Sequence, residues 1–261
     1  MPGTMYPRGG HPLSKLELKR AQLKGPLYEY LEFFALNDKF NEKFDFRGDA
    51  ISGDDWAVAN GGGASAASFA INVQRSGVIR ATTGTGNGDT ASASLISPAI
   101  YYGDANCGAS FYWEPITAVT ETRIELGFVD VVPGSTKPVV NVLATPSVNT
   151  SVVDTALRVY DHTSSTTTNQ LTTIGSSITA AKATFTPLTT VAAATPAKTR
   201  IQIIGNRVYL WEDGILKASL ATGTTDYIEG GSAIALWAYV RASSASSKSL
   251  DIDLIHVWQD R

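Results

Sequence analysis

A single cysteine, Cys107, stands in 261 residues, so no internal disulfide can form. That fits a protein folded in a reducing cytoplasm, or one that at this size needs no covalent staple. The three histidines, His11, His162 and His256, lack the spacing of a zinc site, and no metal is expected. Charged residues make up only 17% of the chain, below the usual quarter, so charge does not hold it open as a disordered polymer. The formal net charge of −3 gives no global basic field to recruit nucleic acid or an acidic membrane. No apolar run approaches the roughly 20 residues that cross a bilayer. The opening Met-Pro-Gly-Thr-Met-Tyr-Pro-Arg also lacks the apolar core of a signal peptide. The expectation is a soluble chain, not exported by a signal of its own.

What fills the space is Ala, Ser, Thr and Gly around short runs of β-branched and aromatic residues. The last third is the clearest. Thr199 to Lys217 reads as three strands joined by Gly205-Asn206 and Asp213-Gly214. The second pair is a strong hairpin signal, because both residues tolerate positive φ. Strands follow at Ala233–Arg241 and Leu250–Trp258. In the last, Ile252, Leu254, His256 and Trp258 alternate with Asp251 and Asp253, which predicts His256 on an inward face and both aspartates outward.

The other end of the chain is different. Residues 1–43 read as an extended arm, and residues 44–261 as the globular domain. Ser14 to Lys24 predicts a helix, with Ser14 and Glu17 spaced as a capping box. Within Met1–Lys24, Arg8, Lys15, Lys19, Arg20 and Lys24 stand against one acid, Glu17, so this part of the arm is basic while everything after it is acidic. Gly25-Pro26 ends the helix. The aromatic run Leu27–Leu36 fits either a second helix or an edge strand.

Between Phe44 and the closing meander, strands are expected near Ser68–Gln74, Val78–Thr83, Ala91–Ile100, Ala109–Thr117, Thr122–Val132, Val139–Leu143 and Val152–Tyr160. Weaker ones fall at Leu171–Ile174 and Ala183–Leu188. About a dozen short strands at this spacing, without a helix, predict an all-β antiparallel jelly-roll sandwich with a partly helical N-terminal arm.

Several constellations could carry chemistry. Glycosidases of jelly-roll type place paired carboxylates on one strand face as Glu-x-Asp-x-x-Glu. Here Glu121 and Glu125 share parity, but Arg123 occupies the middle position. An Arg between two Glu reads more simply as an ion-paired row on a solvated strand. Asp251-Ile-Asp253 is explained by alternation, and Asp49, Asp54 and Asp55 by turn chemistry. Gly84-Thr-Gly-Asn-Gly-Asp89 lacks the Lys-Ser/Thr of a phosphate loop, so no cofactor is expected. No catalytic residue is assigned, and the chain is expected not to be an enzyme. Trp211, Trp237 and Tyr239 are candidate interface or glycan-stacking aromatics.

Two stretches carry a resemblance. One is Asp54-Asp-Trp56, Gly61-Gly-Gly63, Ser68-Phe-Ala-Ile71 and Gly77 to Gly84; the other is Val208 to Gly214 with Leu250 to Trp258. Together they resemble tailed-phage virion proteins with a concanavalin A-like (LamG-like) jelly-roll. That resemblance implies a capsid decoration (cement) protein, assembled in the host cytoplasm into the virion. Its partners would be the major capsid protein or other virion proteins, contacted through the basic arm, in a homo-oligomer guessed to be a trimer. The alternative it implies is a tail or baseplate module recognising a host glycan.

Overall fold

The computed structural model describes residues 39–46, 50–61, 67–72, 77–85, 91–130, 138–139, 154–164, 167–176, 179–184, 191–205, 207–221, 228 and 232–260. The helix expected at Ser14–Lys24, the run Leu27–Leu36 and the bases Arg8, Lys15, Lys19, Arg20 and Lys24 lie outside these residues.

Two antiparallel sheets face each other. The first runs β14 (Ile215–Ala221), β13 (Arg207–Glu212), β12 (Ala197–Ile204), β7 (Gly108–Pro115), β16 (Ser249–Asp260), β4 (Ile79–Thr82) and β3 (Ser68–Ile71), with β1 (Lys39–Phe44) also pairing β16. The second runs β11 (Thr179–Thr184), β10 (Thr167–Ser176), β9 (Asp154–Ser164), β8 (Thr122–Val129), β15 (Ala233–Ala242), β5 (Ser92–Ile96) and β2 (Ala57–Asn60), with β6 (Tyr101–Tyr102) also pairing β15. One 3-10 turn spans Gly103–Ala105. The all-β sandwich expected from the sequence is thus present. Its pairing begins at Lys39, and Val139 lies in a bend rather than a strand.

The turns follow the expected chemistry. Gly205, Asp213 and Gly214 all take positive φ, and the β12–β13–β14 meander closes around them. The core between the sheets comes from alternate residues: Ile124, Leu126 and Phe128 of β8 meet Ile201, Ile203, Val208 and Leu210 of β12 and β13. Cys107 is buried in the same core, and burial pushes its thiol well above the ordinary range.

The last strand departs from simple alternation. The register of β16 on β7 shifts between Ile252 and Leu254, a bulge with Asp253 as the extra, exposed residue. Leu250 and Ile252 face the core before the bulge; Ile255 and Val257 face it afterwards. His256 and Trp258 therefore point outward, opposite to the sequence expectation. Asp251 does leave the core, but it is not solvated. It is buried and holds Arg80 through contacts of 2.6 and 2.9 Å, with Asn72 nearby at 3.4 Å.

An ion pair lies inside the sandwich. Arg158 of β9 points between the sheets and donates to Glu212 of β13 at 3.1 and 3.2 Å. Its guanidinium sits 5.1 Å from the Trp113 ring centroid and 5.4 Å from that of Tyr160. Burial lowers the Arg158 pKa, and Glu212 works against that shift. Glu212→Gln leaves the cation between the sheets without its counter-charge, so folding stability should drop by about 3–5 kcal/mol in urea titrations. The double change Arg158→Met with Glu212→Leu should cost less than the single one. A single variant within 1 kcal/mol of the parent, the scale of an exposed pair, would show that this pair does not tie the sheets.

Candidate functional site

The two outer sheet faces differ. On the second sheet, Arg123, Glu125, Asp161, Trp237 and Tyr239 point away from the core, yet all are buried. Glu125 accepts from Arg123 at 3.0 Å, from Trp237 Nε1 at 3.2 Å and from the Val139 amide at 2.8 Å. Arg123 also reaches Asp161 at 3.4 Å. Burial raises the Asp161 pKa, and Arg123 opposes the rise. Trp237 and Tyr239 stack at 5.7 Å within 10° of parallel. With Leu157, Val159, Ile96 and Val139 they form a second apolar cluster. The row read as a solvated strand face is ion-paired as expected, but it is sealed. A carboxylate held by three donors in a closed layer is built to fix structure, not to exchange a proton with a substrate.

The first sheet presents a more open face. Register aligns Lys43, His256, Arg200 and Trp211 across β1, β16, β12 and β13. Asn41, Trp258, Gln202 and Tyr209 align in the next row. Between them β7 supplies only Ser110 and Gly108. The ring of Trp258 lies over Gly108, where a Cβ would stand 2.4 Å from it. Arg200 sits between two rings, 4.6 Å from Trp211 and 5.0 Å from Trp258. Tyr209 stacks on Trp211 at 5.6 Å. One row towards the other end, Lys198 lies 4.9 Å over Tyr112.

Beside Tyr112 a cleft of about 330 Å³ opens, bordered by Lys198, Glu114, Asp213, Asp251 and Asp253. This volume falls at the low end of small-ligand sites, about 300–1,000 Å³. The cleft offers one partly exposed aromatic ring, one ammonium and several carboxylate acceptors. Glu114 and Asp251 are direct register partners on β7 and β16, which sets their Cβ atoms about 5 Å apart.

Of the three aromatics singled out in the sequence, Trp211 alone reaches a partly exposed face; Trp237 and Tyr239 are fully buried. Sequence reasoning missed Tyr112, Lys198 and Arg200. The usable signal was parity: Tyr209 and Trp211 share a face in β13, and their cross-strand partners Gln202 and Arg200 follow from the Gly205 turn. Tyr112 is hidden in the run Phe111-Tyr112-Trp113, where all three residues look like core.

No protein-family model matches the chain, and no curated protein matches it. Solved structures do. The carbohydrate recognition domain of Emp47p superposes with a TM-score of 0.57 at 7% identity, covering 85% of this chain and 96% of that one. A Bacillus licheniformis β-glucanase gives 0.57 at 9%, covering 85% and 98%. The Mycobacterium tuberculosis Rv0315 protein, described as a pseudo β-1,3-glucanase, gives 0.57 at 9%, covering 84% and 98%. The fold is concanavalin A-like. The three names are those of a lectin domain, a hydrolase and a pseudo-hydrolase, and they lend nothing to a virion assignment. They also correct the expectation that the chain is not an enzyme. Glucanases use this same sandwich, so the fold is compatible with hydrolysis.

His256 gives this face a pH signature. Its Nε2 lies 2.6 Å from Asn41 Oδ1, and burial lowers its pKa to about 4, with Lys43, Lys198 and Arg200 pushing the same way. The unfolded chain takes up this proton near 6.5, whereas the folded one resists until about 4. The effect on stability is nil above pH 6.5. Stability then falls as pH drops from 6.5 to about 4, by about 3 kcal/mol in all. His256→Gln should flatten the profile across that window in denaturant melts. Equal slopes for parent and variant would show that His256 is not the group responsible.

Proposed function

We propose that this chain recognises a carbohydrate in the cleft beside Tyr112. The observation that carries the reading is the cleft's chemistry. A partly exposed ring can take the apolar face of a sugar, and Glu114, Asp213 and Asp253 around it can accept from hydroxyls. The shared fold of a lectin domain supports the reading without supplying its ligand. The setting we propose is the tail or baseplate of a tailed-phage particle, facing a host surface glycan. That setting rests on the strand motifs alone. The capsid-decoration alternative rests on Arg8, Lys15, Lys19, Arg20 and Lys24, outside the described residues.

A second reading, cleavage of the bound glycan, is favoured by Glu114 and Asp251 facing each other across β7 and β16. Arg80 holds Asp251 at 2.6 and 2.9 Å, so Asp251 is the fixed member of the pair.

The test is binding to a broad panel of neutral oligosaccharides, with reducing-end release from β-glucan assayed in parallel. At least one glycan should bind, and Tyr112→Ala should weaken it about tenfold while circular dichroism stays unchanged. A panel with no binder overturns the recognition reading. Hydrolysis that vanishes in Glu114→Gln would establish the second reading; no release from any glucan would remove it. Antibody-fragment labelling of purified particles tests the setting, and label away from the tail would refute it.

A further inference from the structure

We propose that the face of the first sheet next to the cleft is a separate binding surface for an acidic polysaccharide. The argument starts from charge. The whole chain is formally −3, yet the two rows through Arg200 and Gln202 carry Lys43 and Arg200 with no carboxylate among them. Lys198 stands one row on. Lys43 and Arg200 make this strip positive on an acidic protein and are not part of the cleft lining, whereas Lys198 stands on the border that the strip shares with the cleft.

The second strand of the argument is how the cations are held. Arg200 is only 8% exposed, lies between Trp211 and Trp258, and donates to Gln202 Oε1 at 2.6 Å. Lys198 rests on Tyr112. These side chains are already ordered, so a ligand that meets them loses little extra conformational freedom on binding. Lys43, on the edge strand β1, is exposed and completes the row.

The third is what the rings cannot do. Trp211 has Tyr209 on one side and Arg200 within 4.6 Å of its centroid. Trp258 has Arg200, His256 and the backbone of Gly108 around it. Rings engaged in this way do not offer faces for nucleobases, whose non-specific binding depends on stacking. The surface therefore suits a polymer read by its charge, with hydroxyls to pair with Asn41, Gln202 and Tyr209. A uronic-acid polysaccharide has that chemistry.

The experiment uses the full chain and four probes: polygalacturonate, neutral galactan, inorganic polyphosphate and oligothymidylate. Calorimetry at low ionic strength should show polygalacturonate binding that weakens as salt is added. Lys43→Glu should reduce that affinity about tenfold, and Lys43→Gln by less, with thermal unfolding unchanged. Galactan binding, if the cleft supports it, should not respond to either variant. Failure of the cleft reading and failure of this one are therefore separable. The proposal is overturned if polygalacturonate does not bind, or if Lys43→Glu leaves its affinity unaltered. Equal affinity for polyphosphate would overturn the sugar component, and tighter binding of oligothymidylate would replace the polysaccharide by nucleic acid.

Discussion

Strand β16 must satisfy three neighbours at once. It pairs β4 near its start, β7 through its middle and β1 near its end, and it must give apolar side chains to the core throughout. A regular strand of its sequence cannot do this, because the residues suited to burial change parity at Asp253. The single extra residue of the bulge resolves the conflict. Before it, Asp251 turns outward to Arg80; after it, His256 and Trp258 turn outward to Asn41 and Arg200. The aromatic–cationic layer on the outer face exists because the core needed Ile255 and Val257.

A second theme is the location of charge. The chain has few charged residues, and several of them lie where water does not reach. Arg158 with Glu212 sits between the sheets, and Arg123 with Glu125 and Asp161 lies buried on the outer face of the second sheet. Such groups add little net stability when paired but are costly when displaced. Each also fixes strand register: Arg158 and Glu212 tie β9 to β13 across the two layers, and Arg123 ties β8 to β9 within one. A slipped register would strand a buried charge, so these pairs discriminate against alternatives more than they add to the depth of the native state.

Much of the fold was legible because it is local. The Asp213-Gly214 and Gly205 turns, the alternation of Ile124, Leu126 and Phe128, and the β-branched runs all act within a few residues. The outer faces were not legible, for a physical reason. Alternation identifies two sides of a strand but not what lies over each side. All eight residues of β8 are buried, so its polar positions looked solvated when they are ion-paired and shielded from water. Trp237 and Tyr239 vanished from the surface for the same cause. The bulge is equally opaque, since Asp253 differs from Asp251 only in what faces it. Trp211 was found because its strand is bounded by two readable turns. Lys198 and Arg200 were missed because their role is set by partners on β7, β13 and β16, far off in sequence.

Cys107 has a practical corollary. Its thiol is buried in the core and its ionisation suppressed, so it is poorly reactive in the folded chain. A cysteine placed at an exposed position such as Lys43 would then be the one readily alkylated sulfur in the native protein. A fluorophore or spin label could be attached there without first removing the natural residue, and the intrinsic Cys107 would serve as an internal reporter of unfolding through its delayed modification.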